Sequence, residues 1–437
     1  MLGCFGRARV EIHQLVRSAQ QAMQAGRLEE AAALWEQVLA GEPRHAQALF
    51  HLGQHALYHK DAKRAAELLQ HASKVSPKEP VVELNLSFAY RNLGDSRAEL
   101  AALDRSLSID PYFLPSLLSK GALLVRLGQH KEAAEIYKNA LSIAPPDDQL
   151  PASLRTHMGR ARDAVARNAE QLDDFLQSYL LPARDRNPDS DLRRFEACKD
   201  VLLGHKKIFV QQPSMLHFGE LPAVQFYDRG LFPWLAELEA ATDAIRDEFL
   251  RIAREDNAEF VAYIDRPTHV PLNQWAELNR STRWSVFFLW KDGLRIDEHC
   301  ARCPRTAAAL EKVPFANIPN FAPTANFSVL APHTTIPPHT GSTNVRLIVH
   351  LPLIVPKGCR YRVGNEWREW SEGKAWIFDD TIEHEAVNGS AEPRAILMFD
   401  IWNPYLSAAE RDMVASLLVG LRKFYDQPEE NFHFKNG

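Results

Sequence analysis

Cysteine is scarce in this chain, with five in 437 residues, at Cys4, Cys198, Cys300, Cys303 and Cys359. That scarcity excludes a small disulfide-stapled scaffold and fits a reducing compartment. Cys300 and Cys303 have the spacing of metal and redox pairs, with His299 beside them. No second pair completes a tetrahedral zinc site, so the pair reads as incidental. Long apolar runs are missing too, and nothing approaches the ~18 consecutive apolar residues that a membrane span requires. The opening Met1-Leu2-Gly3-Cys4-Phe5, followed by Arg7 and Arg9, lacks the continuous apolar core of a secretory leader, and Gly3 is misplaced for N-myristoylation. There is no basic excess: 51 Lys and Arg against 56 Asp and Glu give a net charge of -5. Such a balance gives no footing for a general nucleic-acid binder. Together these absences lead us to expect a cytoplasmic protein with no membrane span and no nucleic-acid partner.

The composition is that of a globular chain, 46% hydrophobic and 24% charged, with room for two or three domains at roughly 100–200 residues each. Its first third repeats itself. Pro43, Pro77, Pro111 and Pro145 recur at a period of 34, as do Ala31, Ala65 and Ala133, with Glu99 in the third copy. Trp35, Leu69, Leu103 and Tyr137 keep the same register, and so do Gly26, Lys60, Gly94 and Gly128. This is the period of the tetratricopeptide repeat, a helix–turn–helix unit. Small alanines let paired helices approach, large apolar residues fill the seam, glycine turns the chain and proline stops the second helix. The first copy is degenerate in its first helix, where Ser18 and Ala19 replace Leu52 and Gly53, as suits a terminal cap. We assign 9–147 to an all-α solenoid. Such arrays present a concave surface to a peptide or partner protein, or act as scaffold or dimerisation elements. Segment 148–214 is a helical connector: 154–180 keeps helical apolar spacing until Pro182 and the polar run Asp185-Arg186-Asn187-Pro188 break it.

From about residue 210 the pattern changes to short β-rich runs between Pro, Gly and Asn turns, among them 284–290, 326–330, 345–355, 375–380 and 394–402. These predict a barrel or sandwich. In the run Arg346-Leu347-Ile348-Val349-His350, alternation puts Arg346, Ile348 and His350 on one face. Two chemically capable residues on an otherwise apolar strand mark a site. His339 precedes that strand and His384 follows another. Histidines at strand ends, far apart in sequence, are how non-haem iron oxygenases build a metal site with open positions. Arg394 begins the next strand, and its guanidinium can grip a carboxylate in a bidentate way that lysine cannot.

Residues 327–404, "FSVLAPHTTIPPHTGSTNVRLIVHLPLIV…EGKAWIFDDTIEHEAVN…PRAILMFDIWNP", strongly resemble the aspartyl/asparaginyl β-hydroxylase family, as does the run-in at 220–242. The resemblance extends over roughly 215–420, and tetratricopeptide repeats ahead of this domain are typical of the family. It implies that 215–437 is a double-stranded β-helix (jelly-roll, cupin-like) catalytic domain using Fe(II), 2-oxoglutarate and O2. By position, His339 and His384 match the iron-binding, catalytic histidines. Gly341 stands where the wider superfamily places a carboxylate ligand that this family lacks. Ser328 and Arg394 match the residues holding the distal carboxylate of 2-oxoglutarate, and His350 matches a cosubstrate contact. One departure is Ile348, where members often carry an arginine near the C1 carboxylate. Arg346, on the same face, is the candidate to compensate or to meet an acidic substrate. Asp379 and Asp380 are read as orienting His384 rather than as ligands, and Glu383 and Glu385 as exposed or supporting. The implied reaction is hydroxylation of the β-carbon of aspartyl or asparaginyl residues in a peptide or protein, engaged by the repeats. Two alternatives stand beside it: a repeat scaffold with a degenerate oxygenase domain, and a hydroxylase of a non-protein substrate, amino acid or lipid.

Overall fold

A computed structural model describes residues 2–255 and 259–425; Met1, 256–258 and 426–437 lie outside the described residues, the last of these at the end of the segment assigned to catalysis. The chain divides into two compact units, 1–205 and 206–437.

The first unit is an array of antiparallel helix pairs: α1 (Leu2–Gln24) with α2 (Leu28–Gly41), α3 (Ala46–Tyr58) with α4 (Ala62–Val75), α5 (Pro80–Leu93) with α6 (Ser96–Ile109), and α7 (Leu114–Arg126) with α8 (His130–Ile143). The repeated columns explain it. Trp35, Leu69, Leu103 and Tyr137 are all buried. Small residues face them from the preceding helices: Ala19 shares a core with Trp35, a Cβ on Gly53 would stand 2.6 Å from Leu69, and one on Gly121 2.4 Å from Tyr137. Glu99 breaks the alanine column without harm, because Arg91 (2.8 Å) and Arg126 (2.6 Å) meet its buried carboxylate.

The turn column is equally uniform. Gly26, Gly94 and Gly128 take φ between 73° and 76°, and Lys60 is forced to φ 63° in the same position. A side chain costs about 1 kcal/mol in that left-handed conformation. Lys60→Gly therefore raises stability by roughly 0.5–1 kcal/mol, measurable as an upward shift of the urea midpoint with unchanged slope.

One expectation needs correction. Pro182 does not break the connector, for α9 (Ala152–Asp185) runs through it. Pro182 lies in the last turn, where only one intrahelical bond is forfeited, and the helix ends within a turn of it. Met158 and Ala161 of α9 share a core with Ala133, Tyr137 and Ala140 of α8, so this helix covers the last repeat. Helix α10 (Arg193–Leu202) follows.

The second unit is two β-sheets with helices on one side. Its strands are β1 (Val261–Ala262), β2 (Trp284–Lys291), β3 (Leu294–Arg295), β4 (Ala325–Leu330), β5 (Thr334–His339), β6 (Arg346–Ile354), β7 (Cys359–Val363), β8 (Glu366–Glu369), β9 (Trp376–Phe378), β10 (His384–Asn388) and β11 (Arg394–Trp402). The larger sheet has the order β1-β2-β4-β11-β6-β9, with β3 on β2; the smaller is β5-β10-β7-β8. Period-two alternation decides what each face does. Leu347, Val349 and Leu351 of β6, and Ala395, Leu397, Phe399 and Ile401 of β11, belong to the core shared with α11 (Leu235–Ala240), α12 (Thr242–Glu255), α13 (Asp297–Arg302) and α14 (Pro304–Leu310). Cys300 and Cys303 are buried in that same core. The opposite face of the large sheet looks toward the small sheet. A final helix, α15 (Ala408–Phe424), opens with a Ser407–Glu410 capping box and packs Val414 and Leu418 against Val345 and Leu406.

Candidate active site

Between the two sheets lies a cavity of about 770 Å3, counting its open mouth. Every residue assigned to the site from sequence lines it: Ser328 from β4, His339 from β5, Arg346 and His350 from β6, His384 from β10 and Arg394 from β11. Ile348 lines it too, so the alternate residues of β6 do share one face.

His339 and His384 are direct cross-strand partners, with ring centroids 4.0 Å apart. Each ring is fixed by its own strand: His339 Nδ1 donates to the Pro337 carbonyl (2.7 Å) and His384 Nδ1 to the Ile382 carbonyl (3.0 Å). A carbonyl oxygen only accepts, so Nδ1 carries the proton and Nε2 keeps a lone pair. Burial keeps both rings neutral, holding His384 at about 4 and His339 well below its ordinary value, with the neighbouring His384 adding to the effect on His339. Trp275 lies edge-on to His339 at 4.9 Å and blocks one side. Two neutral, oriented imidazoles are a donor set for a divalent transition metal. No carboxylate joins them in a compact three-donor group among the described residues.

The reason lies at Gly341. A Cβ built there would stand 2.2 Å from Asp380 Oδ2, so the Asp380 carboxyl fills the space a side chain at 341 needs. The Gly341 amide also donates to the Asp380 carbonyl (2.6 Å). Asp380 Oδ1 is buried without a hydrogen-bond partner, and burial pushes the acid above its ordinary range. Gly341→Ala thus forces Asp380 aside and costs about 1–3 kcal/mol. A thermal melt of that variant against Gly341→Ala/Asp380→Gly checks this, since the second change reopens the space and recovers stability.

Arg394 is the most telling residue. It is 2% exposed, its Nε and Nη1 have no hydrogen-bond partner, and no carboxylate pairs with it among the described residues. Its guanidinium lies over the Trp370 ring at 4.9 Å. Burial lowers it only to about 10, so it stays charged at neutral pH. A buried cation without an anion is costly, and this one lines a cavity. Beside it, Ser328 Oγ accepts from Trp284 Nε1 (3.1 Å), leaving its hydroxyl proton to donate. His350 is buried with Nδ1 unpartnered, packed between Tyr361 and Phe378.

Arg346 lines the cavity as the strand alternation predicts, and it is already paired there. Asp400 Oδ2 accepts from it at 3.1 Å, Ser342 Oγ at 3.2 Å, and Asp380 Oδ2 lies 3.7 Å away. Burial pushes Asp400 up to about 6, against the pull of Arg346. Two acids already answer this guanidinium, which makes it a weaker claimant than Arg394 on an incoming carboxylate. Asp379 accepts from Thr381 and Gln211 and so braces the turn before His384. Glu383 and Glu385 pair with Arg362. The aromatic residues Trp275, Trp284, Tyr361 and Trp370 were not picked out from sequence. Only the aromatic richness of strands such as 284–290 hints at them.

Comparison with known proteins places this architecture. Residues 239–404 match the family described as Aspartyl/Asparaginyl beta-hydroxylase, and 16–80 and 114–147 match tetratricopeptide repeat families. The chain is 28% identical to the aspartyl/asparaginyl beta-hydroxylase of Mus musculus and 29% to that of Homo sapiens, in each case over 90% of its own length. It covers 55% and 54% of those proteins, so it spans about half the length of these relatives. Over a shorter stretch, 44% of this chain and 66% of the relative, it is 36% identical to an ornithine lipid ester-linked acyl 2-hydroxylase of Rhizobium tropici.

Proposed function

Starting from a chain that joins tetratricopeptide repeats to a domain of the aspartyl/asparaginyl β-hydroxylase family, we propose that it is an Fe(II)- and 2-oxoglutarate-dependent dioxygenase that hydroxylates the β-carbon of aspartyl or asparaginyl residues in a peptide or protein. The observation that carries this reading is the presence of two neutral imidazoles with free Nε2 lone pairs and a buried guanidinium without a carboxylate partner among the described residues, all lining one cavity. Those are the donors needed by a divalent metal and by a dicarboxylic cosubstrate.

His339 and His384 would hold the iron through Nε2, their orientation fixed by the Nδ1 bonds to Pro337 and Ile382. Arg394 and the Ser328 hydroxyl would hold the distal carboxylate of 2-oxoglutarate, and His350 would border the cosubstrate. When bound, Fe(II) with 2-oxoglutarate and O2 supplies the oxidising power for an unactivated C–H bond and yields succinate and CO2. Trp275, Tyr361 and Phe378 keep the metal-facing wall apolar and exclude bulk water. Arg346, held by Asp400 and Asp380, would add positive potential near the substrate end rather than form a second clamp.

Likeness to the mouse and human proteins across both units favours a peptide or protein substrate, with the repeats as its docking array. The Rhizobium tropici relative supports a second reading, a lipid acyl substrate, for the catalytic unit alone. No helix among the described residues is long and apolar enough to cross a membrane. Incubation with Asp- and Asn-containing peptide libraries separates the two. A mass gain of one oxygen, located by fragmentation to an Asp or Asn residue, supports the peptide reading; oxygen gained only by acyl chains of added lipids overturns it.

A further inference from the structure

The first two repeats carry another histidine pair, which the oxidation above does not use. Helix α3 and the residue that caps its C-terminus set His51, His55 and His59 four residues apart, hence along one face. His51 is occupied in packing, stacked on Trp35 at 5.2 Å and bonded to Gln54. His55 and His59 lie beyond it with ring centroids 4.4 Å apart. Glu29, in the first turn of α2, reaches both: Oε2 is 3.3 Å from His55 Nε2 and Oε1 is 2.9 Å from His59 Nε2. One donor atom from each of the three lies within 4.8 Å of the others, the one such group of histidine, cysteine or carboxylate side chains among the described residues.

We propose that Glu29, His55 and His59 form a binding site for a divalent transition-metal ion of the Zn2+ type, which ties the first repeat to the second. Two histidines at i and i+4 is the spacing by which a helix delivers two imidazoles to one ion. A carboxylate from the neighbouring helix makes a third donor, and water completes four-coordination. Zinc bonds of about 2.0–2.1 Å place tetrahedral donors roughly 3.3 Å apart, so small side-chain rotations close the site. Two imidazoles and one carboxylate suit zinc and its neighbours, whereas Ca2+ and Mg2+ ask for oxygen donors throughout. Glu29 is 75% exposed, so its hydrogen bonds to the two rings are a weak tie in water. In the metal-free site each Nε2 donates to the Glu29 carboxylate; on metal binding that proton leaves Nε2, and a ring protonated at Nδ1 turns its Nε2 lone pair to the ion. His55 also borders a groove with Trp35, His51 and Tyr58, and occupancy of the site stiffens one wall of it.

The test is Zn2+ titration of the full chain by calorimetry, beside His55→Gln/His59→Gln and, separately, Glu29→Gln. The double variant is expected to bind one Zn2+ equivalent fewer than the parent, and Glu29→Gln to weaken that equivalent about tenfold or more. Co2+ in its place gives the intense visible bands of a four-coordinate ion, lost in the double variant. Far-ultraviolet circular dichroism confirms that these substitutions, at the exposed Glu29 and His59 and the half-buried His55, leave the helices intact. The inference is overturned if the double variant, folded, retains every Zn2+ equivalent of the parent, or if Glu29→Gln leaves the affinity unchanged.

Discussion

Replacing Arg394 with methionine is expected to abolish 2-oxoglutarate turnover while leaving the apo-protein at least as stable as the parent. The two effects have one cause. Arg394 is a buried cation with no anionic partner among the described residues, so in the absence of ligand its charge opposes folding. Methionine keeps most of the volume against Trp370 and removes that charge. Bound 2-oxoglutarate would supply the missing anion, and losing one side of such a pair costs about 2–5 kcal/mol, or roughly 30- to 4,000-fold in affinity. Thermal melts show both effects at once. Saturating 2-oxoglutarate added to the Fe(II)-loaded protein raises the melting temperature of the parent, by mass action worth about 2.7 kcal/mol at 100 times Kd, and leaves that of Fe(II)-loaded Arg394→Met unmoved. A guanidinium kept only for structure gives the opposite pattern, a destabilised variant that still responds to 2-oxoglutarate.

The second large effect is expected at the histidine pair. Where a metal has three protein ligands, loss of one leaves two. Here no carboxylate completes the group among the described residues, so His339→Ala or His384→Ala leaves a single protein donor. Each variant is expected to lose Fe(II) binding by at least about a hundredfold, the upper end of what even an outer-shell change costs. Equilibrium dialysis of Fe(II) under anaerobic conditions reads this directly. Asp380→Asn distinguishes a ligand from a neighbour: with Asp380 outside the donor group, it retains iron that His384→Ala loses.

These effects were partly legible in the sequence, for reasons that differ by residue. The repeats are readable because each copy solves the same packing problem at the same spacing. Even the irregular Lys60 and Glu99 keep their places in the columns. The face shared by Arg346, Ile348 and His350 follows from strand alternation alone. What sequence could not give is contact between elements far apart in the chain. Arg346 and Asp400 meet because β6 and β11 pair with Ile348 opposite Asp400 and Arg346 opposite Trp402. Asp380 occupies the space beside Gly341, and no local pattern announces it. Pro182 misled because a proline removes only its own bond to the carbonyl four residues back, and α9 continues just three residues past it before ending at Asp185. The loneliness of Arg394 is likewise a property of the assembled cavity. The sequence shows an arginine at a strand start, and only the fold shows that no acid among the described residues pairs with it.

That loneliness also weighs against a scaffold with a degenerate oxygenase domain. Without a ligand to bind, a buried unpaired guanidinium beside two oriented imidazoles has cost and no return.

The most direct test is formation of succinate from 2-oxoglutarate by the purified full chain with Fe(II) and O2. It is run with and without chelator, beside His339→Ala and His384→Ala. Succinate is expected to depend on Fe(II), to vanish with chelator, and to be absent from both variants. Parent protein that binds no 2-oxoglutarate in the presence of Fe(II), or succinate formed equally by the histidine variants, would contradict the dioxygenase reading.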